Sequence, residues 1–328
     1  MNAEYETYCK NDFNQINPLV LTMSESDNST NTKMSSITNV LKKLTMFWGL
    51  EHIGIQKDSD HDKTLDEIDA EIMMKDVTFY DVKNQRWYTS LLWKKPRTLL
   101  GKNYHKSLTI MKSVERGAIA KNTKEVINEV FTDFLDSNFA EIVPPDEQFK
   151  TGIACSFIPK HAVYRKEATT TKCRMVLNCS SATETSYSLN DLLYKGELLL
   201  PDFVSLLIQF RIHATACCSD ITKMFLQIHL HSKEDTNMLR YLWRDCDIAV
   251  EPVEYRLRVL PFGMISSPYQ SMYCLREHAK VNGNKFPIAQ DLILNSIYMD
   301  DMVSSFESTN KAAIAANQVH TLLSSASM

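Results

Sequence analysis

The sequence predicts an α+β protein in which helices are interleaved with predominantly antiparallel strands. Three observations predict it. Of the 328 residues, 44% are hydrophobic and 23% charged, ordinary globular usage that can bury one large core or two smaller ones. Only 8 are glycine, which excludes collagenous, linker-like and multi-hairpin architectures and favours helices around a modest sheet. Apolar residues follow a strand period in EYRLRVL (254–260) and a helical period at 121–138, and no internal repeat is present.

Taken in order, residues 1–37 form a polar lead-in. Their clearest low-hydrophobicity part is TMSESDNSTNTKMSSI at 22–37, which cannot bury a core of its own. Asn28 heads a formal glycosylation sequon, but the polar start MNAEYETYCKNDFN has no secretory signal to give it meaning. Residues 38–150 mix helix and strand. VTFYDVKNQRWYTSLLW predicts a strand or two, and Lys121–Asn138 predicts an amphipathic helix with Ile127, Phe131 and Phe134 as its buried stripe, ended by Pro144 and Pro145.

From 151 to 328 the texture changes. CSFIPKHAVY and KCRMVLNCSS predict two strands joined by a charged, Thr-rich turn at 165–172. Pro201 can sit in the first turn of a helix running to about His213. A short apolar strand, ATACCSD, ends on an acid, and 254–260 alternates strictly. Ser266 or Ser267 with Pro268 opens another helix, SIYMDDMVSSF follows, and a last helix starts near Asn310.

No apolar run reaches about 18 residues, so no membrane span is expected, and an intracellular setting, cytoplasmic or nuclear and not secreted, follows. The formal charge of −4 argues mildly against nucleic acid as a partner, although a local basic groove is compatible with it. The 8 cysteines contain no C-x-x-C pair, and adjacent Cys217 and Cys218 in an apolar run predict free thiols. His229-x-His231 has no third ligand nearby and predicts no metal site.

The sharpest chemical feature is Tyr298-Met299-Asp300-Asp301. Ile297, Tyr298, Met302 and Val303 predict a half-buried hairpin with two carboxylates at its tip. Adjacent acids on a strand face opposite ways, so a tight turn is needed to bring both to one point. Such acids raise one another's pKa unless a cation neutralises them, and Mg²⁺ takes hard oxygen ligands of this kind. An acidic surface turn is the bland alternative. Asp220, closing ATACCSD 80 positions earlier, supplies a third carboxylate or simply caps a helix. Three acids on neighbouring strand ends are what two-metal phosphoryl transfer requires.

SDITKMFLQI, LPFGMISSP and YMDD, in that order, resemble three successive palm motifs of a reverse transcriptase. FIPKHAVYRKEATTTKCRMVLNCSSATETSYSLND resembles the finger segment of BEL/Pao-type LTR retrotransposon Pol polyproteins. FWGLEHIGI, WYTSLLWKKP and LGKNYHKSL resemble what precedes it there. The resemblance implies an RNA-directed DNA polymerase with fingers and a palm whose antiparallel sheet is backed by helices. Residues 38–150 would be a Pao-type N-terminal extension and 151–328 the fingers and palm.

It further implies that Asp220, Asp300 and Asp301 hold two Mg²⁺ ions, with Mn²⁺ as a substitute, and that the Ile221 carbonyl is an extra ligand. Phe225 would be the aromatic gate against a ribose 2′-hydroxyl. Arg174, with Lys172, Lys166 and Arg165 on the same turn, would meet the incoming triphosphate. Pro261, Phe262 and Gly263 would back nucleotide and template. The implied partners are an RNA or DNA template with its primer, dNTP and the rest of the Pol polyprotein.

Two departures stand out. Asn178 occupies a finger position that usually carries an acid. The chain also stops at Met328, about one helix past the acid pair, so the primer grip, thumb and later regions are expected to be missing. Two readings therefore stay open, a polymerase segment and an inactive remnant keeping the palm as a nucleic-acid-binding scaffold. A viral RNA-dependent RNA polymerase fits less well, because that family places an acid where Phe225 stands and glycine where Met299 stands.

Overall fold

A computed structural model of the chain describes residues 63–164 and 173–328, together with the backbone of 19–22. In chain order the elements are β1 (Leu19–Thr22), α1 (Leu65–Val77), β2 (Phe79–Asp81), β3 (Arg86–Thr89), α2 (Tyr104–Ala120), α3 (Lys124–Asp136), β4 (Ala140–Ile142), β5 (Lys160–Tyr164) and β6 (Cys173–Leu177). They continue with α4 (Phe203–Phe210), β7 (Thr215–Asp220), β8 (His229–Leu230), α5 (Lys233–Asn237), β9 (Arg240–Trp243), β10 (Val253–Leu257), α6 (Ser267–Asn282), α7 (Pro287–Asn295), β11 (Ile297–Tyr298), β12 (Asp301–Phe306) and α8 (Thr309–Ser324).

Helices are thus mixed with small sheets that are antiparallel except where β3 meets β8. The largest sheet has the order β1-β7-β12-β11. It is backed by α8, whose Ala312, Ala315, Val319, Leu322 and Leu323 are buried, and flanked by α4 and α7. Sheets β4-β10-β9 and β2-β3-β8 and the β5–β6 hairpin complete the fold around one continuous core from Ala70 to Met328. No helix among the described residues is long and apolar enough to cross a membrane.

Several expectations match the elements closely. Ile127, Phe131 and Phe134 are the buried residues of α3, α6 follows Ser266 with Pro268 in its first turn although the Ser266 hydroxyl makes no capping bond, and α8 starts at Thr309 under a Ser308 cap. The strands expected at 77–93 are the β2–β3 hairpin. Others need correction. Pro201 lies outside α4, because Asp202 provides the N-cap by accepting from the Ser205 amide, and the helix ends at Phe210. Within the polar lead-in, the backbone of Leu19–Thr22 pairs along β7. The sequon at Asn28 lies outside the described residues.

Helices α1, α2 and α7 were not legible from periodicity. α1 buries only Ala70 and Met74, so its apolar stripe is thin, although Thr64 and Glu67 form a capping box that signals its start. α2 buries Ser107 and Glu115 beside Met111 and Ala118, and polar core positions erase the hydrophobic pattern. The buried Glu115 is neutralised by the Arg244 guanidinium at 3.0 Å.

The β5–β6 hairpin is held at its base by an unusual side chain. Lys160 is 3% exposed, its Nζ has no hydrogen-bond partner, and three rings surround it. The ammonium lies 3.5 Å from the Phe131 centroid, 3.9 Å from Trp243 and 4.7 Å from Tyr241. Ring faces favour the charged form by roughly 2 kcal/mol when desolvated. Full burial opposes it more strongly, so the balance pushes the Lys160 amine well below its ordinary value.

A lysine lowered in the folded state takes up protons on unfolding, so it costs stability at neutral pH, and the cost shrinks as pH rises toward about 10.5. Replacing Lys160 by Met is therefore expected to stabilise the chain at pH 7 by about 1 kcal/mol or more. The gain should narrow on raising the pH. Chemical denaturation of both proteins across that range checks this, and a destabilised variant with a pH-independent gap would contradict it.

Candidate metal centre and nucleotide site

Sheet register brings the acids together. β7 and β12 pair antiparallel with Asp220 opposite Asp301, and the flanking bond runs from the Ile221 amide to the Asp300 carbonyl at 2.8 Å. That pattern makes Asp220 and Asp301 a non-hydrogen-bonded pair, the close kind, with side chains on the same face. Asp300 joins them from the β11–β12 turn, where Tyr298 pairs with Asp301 and Met299 and Asp300 are the two turn residues. Oxygen atoms of all three carboxylates lie within 4.8 Å of one another, and all three residues are exposed.

The turn exacts a local cost. Met299 has φ +60°, in the left-handed region, whereas Asp300 does not. These signs fit a II′ hairpin, whose first turn residue is normally glycine. A side chain there costs roughly 1–2 kcal/mol. The strain is held because Ile297 pairs with Met302 inside the core, both nearly fully buried, and Tyr298 packs against Phe203 with centroids 5.3 Å apart. Tyr298 and Val303 stay half-buried, as the sequence pattern predicts for this hairpin.

The electrostatics carry the mark of crowded like charge. Burial first, then Asp300 and Asp301, raise the Asp220 carboxyl above its usual range, a hydrogen bond shared with Asp300 adds to this, and Arg174 opposes it. Asp301 is raised by burial and by Asp300. On the same face, the Cys218 thiol is pushed up by burial and by Asp301. Among the described residues no lysine or arginine forms a salt bridge to any of the three acids.

The remaining expected residues fall into three groups. Arg174, exposed on β6, is near enough for its charge to be felt at Asp220. Ile221 is buried at 6% exposure, with its amide spent on Asp300. Phe225 and Phe262 face one another with centroids 5.1 Å apart at 41°, half-buried against the core. Pro261 is buried, its carbonyl accepting from Ser267 Oγ at 2.7 Å, and Gly263 has φ +99°. A Cβ on Gly263 would lie 2.2 Å from the Leu177 carbonyl oxygen, so only glycine fits. Lys166, Lys172 and Arg165 lie outside the described residues.

Asn178, the departure noted from the sequence, donates its backbone amide to the Pro159 carbonyl at the mouth of the hairpin. His229 and His231 are occupied elsewhere: His229 Nε2 accepts from Arg86 at 2.9 Å and His231 Nε2 pairs with Ser90 Oγ at 2.8 Å. Burial and Arg86 push the His229 imidazole down to about 3. All seven described cysteines are free thiols.

Sequence reasoning missed Asn190 and the left-handed Met299. The second had a signal, since a two-residue hairpin with YMDD at its tip needs a positive φ somewhere. Asn190 had none, because its bonds join segments distant along the chain.

No family model matches the chain, and no curated protein matches it. Solved structures similar to it include the foamy viral protease-reverse transcriptase in complex with double-stranded DNA, at 17% identity and a TM-score of 0.40, covering 62% of this chain and 29% of that one. Another is the same viral protein with an RNA/DNA hybrid, at 16% identity and a TM-score of 0.45, covering 62% of this chain and 23% of that one. The chain thus spans about a quarter of the length of these proteins.

Carboxylates raised in the folded state lose protons later than in the unfolded chain, so they contribute stability at low pH that is lost as pH rises through the folded value. Without divalent metal, the contribution of these two acids to stability should fall as pH rises from about 4 toward 7. Asp220→Asn should flatten that fall and stabilise the chain at pH 7 by about 0.2–1 kcal/mol, the scale of a directly opposed like-charge pair. Denaturant melts in a chelator test this, and a variant less stable than the parent at pH 7 would contradict it.

Proposed function

We propose that this chain is the fingers-and-palm segment of an RNA-directed DNA polymerase, from a BEL/Pao-type retrotransposon Pol polyprotein. The observation that carries the reading is Asp220 set directly opposite Asp301, with Asp300 beside them in a strained turn. The order of the three sequence motifs supports it. Residues 38–150 are assigned to the N-terminal extension and 151–328 to the polymerase core.

The donor set fits divalent metal. Three hard, exposed carboxylates within 4.8 Å repel one another and lack a cationic side-chain partner among the described residues, and oxygen-only sets of this kind suit Mg²⁺ or Mn²⁺. Asp220, Asp300 and Asp301 would hold the ions, with the Ile221 carbonyl as a further oxygen. Bound there, divalent cations would make a primer 3′-hydroxyl more acidic and offset the charge of the triphosphate.

The chain's own groups supply position. Arg174 would bind triphosphate oxygens through its planar guanidinium. The Phe225 ring would stand where a ribose 2′-hydroxyl would project, so deoxynucleotides would fit by shape. Pro261, Phe262 and Gly263 would form the wall behind nucleotide and template. Little covalent work falls to the protein, and the rate derives from placement and charge compensation. Template, primer and dNTP are the proposed partners.

Asp300→Asn keeps the side-chain volume and removes one anion. Primer extension on an RNA template with Mg²⁺ should fall by at least ~100-fold while the chain stays folded. Equal extension by parent and variant would refute the polymerase reading. A folded parent that binds primer–template without extending it would favour the scaffold.

A further inference from the structure

Asn190 lies between β6 and α4 and belongs to neither. Its half-buried side chain joins two loops. Nδ2 donates to the Gly263 carbonyl at 3.1 Å and to Ser180 Oγ at 2.9 Å, and Oδ1 accepts from the Ile265 amide at 2.9 Å. Its own amide donates to the Cys179 carbonyl at 3.1 Å. The orientation of the carboxamide follows from its neighbours: the Gly263 carbonyl can only accept and the Ile265 amide can only donate.

The segment Pro261–Ile265 is therefore held from two directions. On one side Gly263 rests on the Leu177 carbonyl with no room for a Cβ. On the other, Asn190 grips the backbone on both sides of Met264. Phe262 immediately precedes Gly263, so the clamp sets where its ring meets Phe225, at 5.1 Å. The strand under Gly263 is also the one that carries Arg174, whose charge is felt at Asp220. One amide thus ties the loop behind the aromatic pair to Cys179 and Ser180, the segment that follows the strand bearing the cation.

We propose that Asn190 is a positioning residue that fixes the Pro261–Ile265 loop and, through Phe262 and Phe225, sets the discrimination between deoxyribose and ribose. This rests on the polymerase reading. Only a primary amide of this length supplies donors and an acceptor at those points. Asn190→Asp keeps the shape but, when ionised, offers acceptors alone and points an anion at the Gly263 carbonyl.

The experiment uses the full chain and two readouts. In hydrogen exchange, the Ile265 amide in Asn190→Asp and Asn190→Ala should exchange at least about tenfold faster, with core strands unchanged. In primer extension with dTTP against UTP, the ratio of kcat/KM values should fall about tenfold, mostly through a higher KM for dTTP. Unchanged exchange at Ile265 overturns the clamp whatever the activity. Faster exchange with an unaltered sugar ratio overturns its role in selection. A parent chain that extends no primer sinks the polymerase reading and the sugar claim together, and the exchange result still decides the clamp.

Discussion

The structure depends on one electrostatic constraint, two aspartates placed directly opposite each other on paired strands. A sheet normally avoids like charges at a non-hydrogen-bonded pair, where side chains are closest. Here β7 ends at Asp220, β12 begins at Asp301, and a third acid stands in the turn between β11 and β12. Asp220 and Asp301 are both raised, and the arrangement is unfavourable for the chain alone. A fold holds such a cluster only through rigidity elsewhere. The Ile297–Met302 pair, the Phe203–Tyr298 contact and the helices behind the sheet provide it.

The same economy of placement extends to the β5–β6 hairpin. Its base is packed by a desolvated lysine among three rings, and the segment leading into it is tied to β9 by the Ile158 amide on the Arg240 carbonyl. Arg240 has no exposed surface and is balanced by Glu254 at 3.0 Å and by Asn237. Buried polar groups of this kind are satisfied or costly, with little between. They hold β6, whose Arg174 charge is felt at Asp220 and whose Leu177 carbonyl meets Gly263.

Much of this was legible in the sequence, for identifiable reasons. Apolar residues on both sides of the paired acids disclosed the β11–β12 hairpin, and the stripe at Ile127, Phe131 and Phe134 disclosed α3. Asp220 could be matched to the pair through motif order, but its direct register opposite Asp301 is a tertiary fact. What stayed hidden obeyed no local period: α2 buries a serine and a glutamate, α1 buries two residues, and Asn190 acts across 73 positions. Lys160 lies in a strand whose sequence gives no sign that its side chain is buried among rings.

The central claim is that the three carboxylates form a divalent-metal site, and Mn²⁺ binding to the intact chain measures this most directly. Electron paramagnetic resonance titration should show bound Mn²⁺ that Mg²⁺ displaces and that is lost in Asp301→Asn. Absence of binding to the parent, or equal binding by parent and variant, would contradict the account.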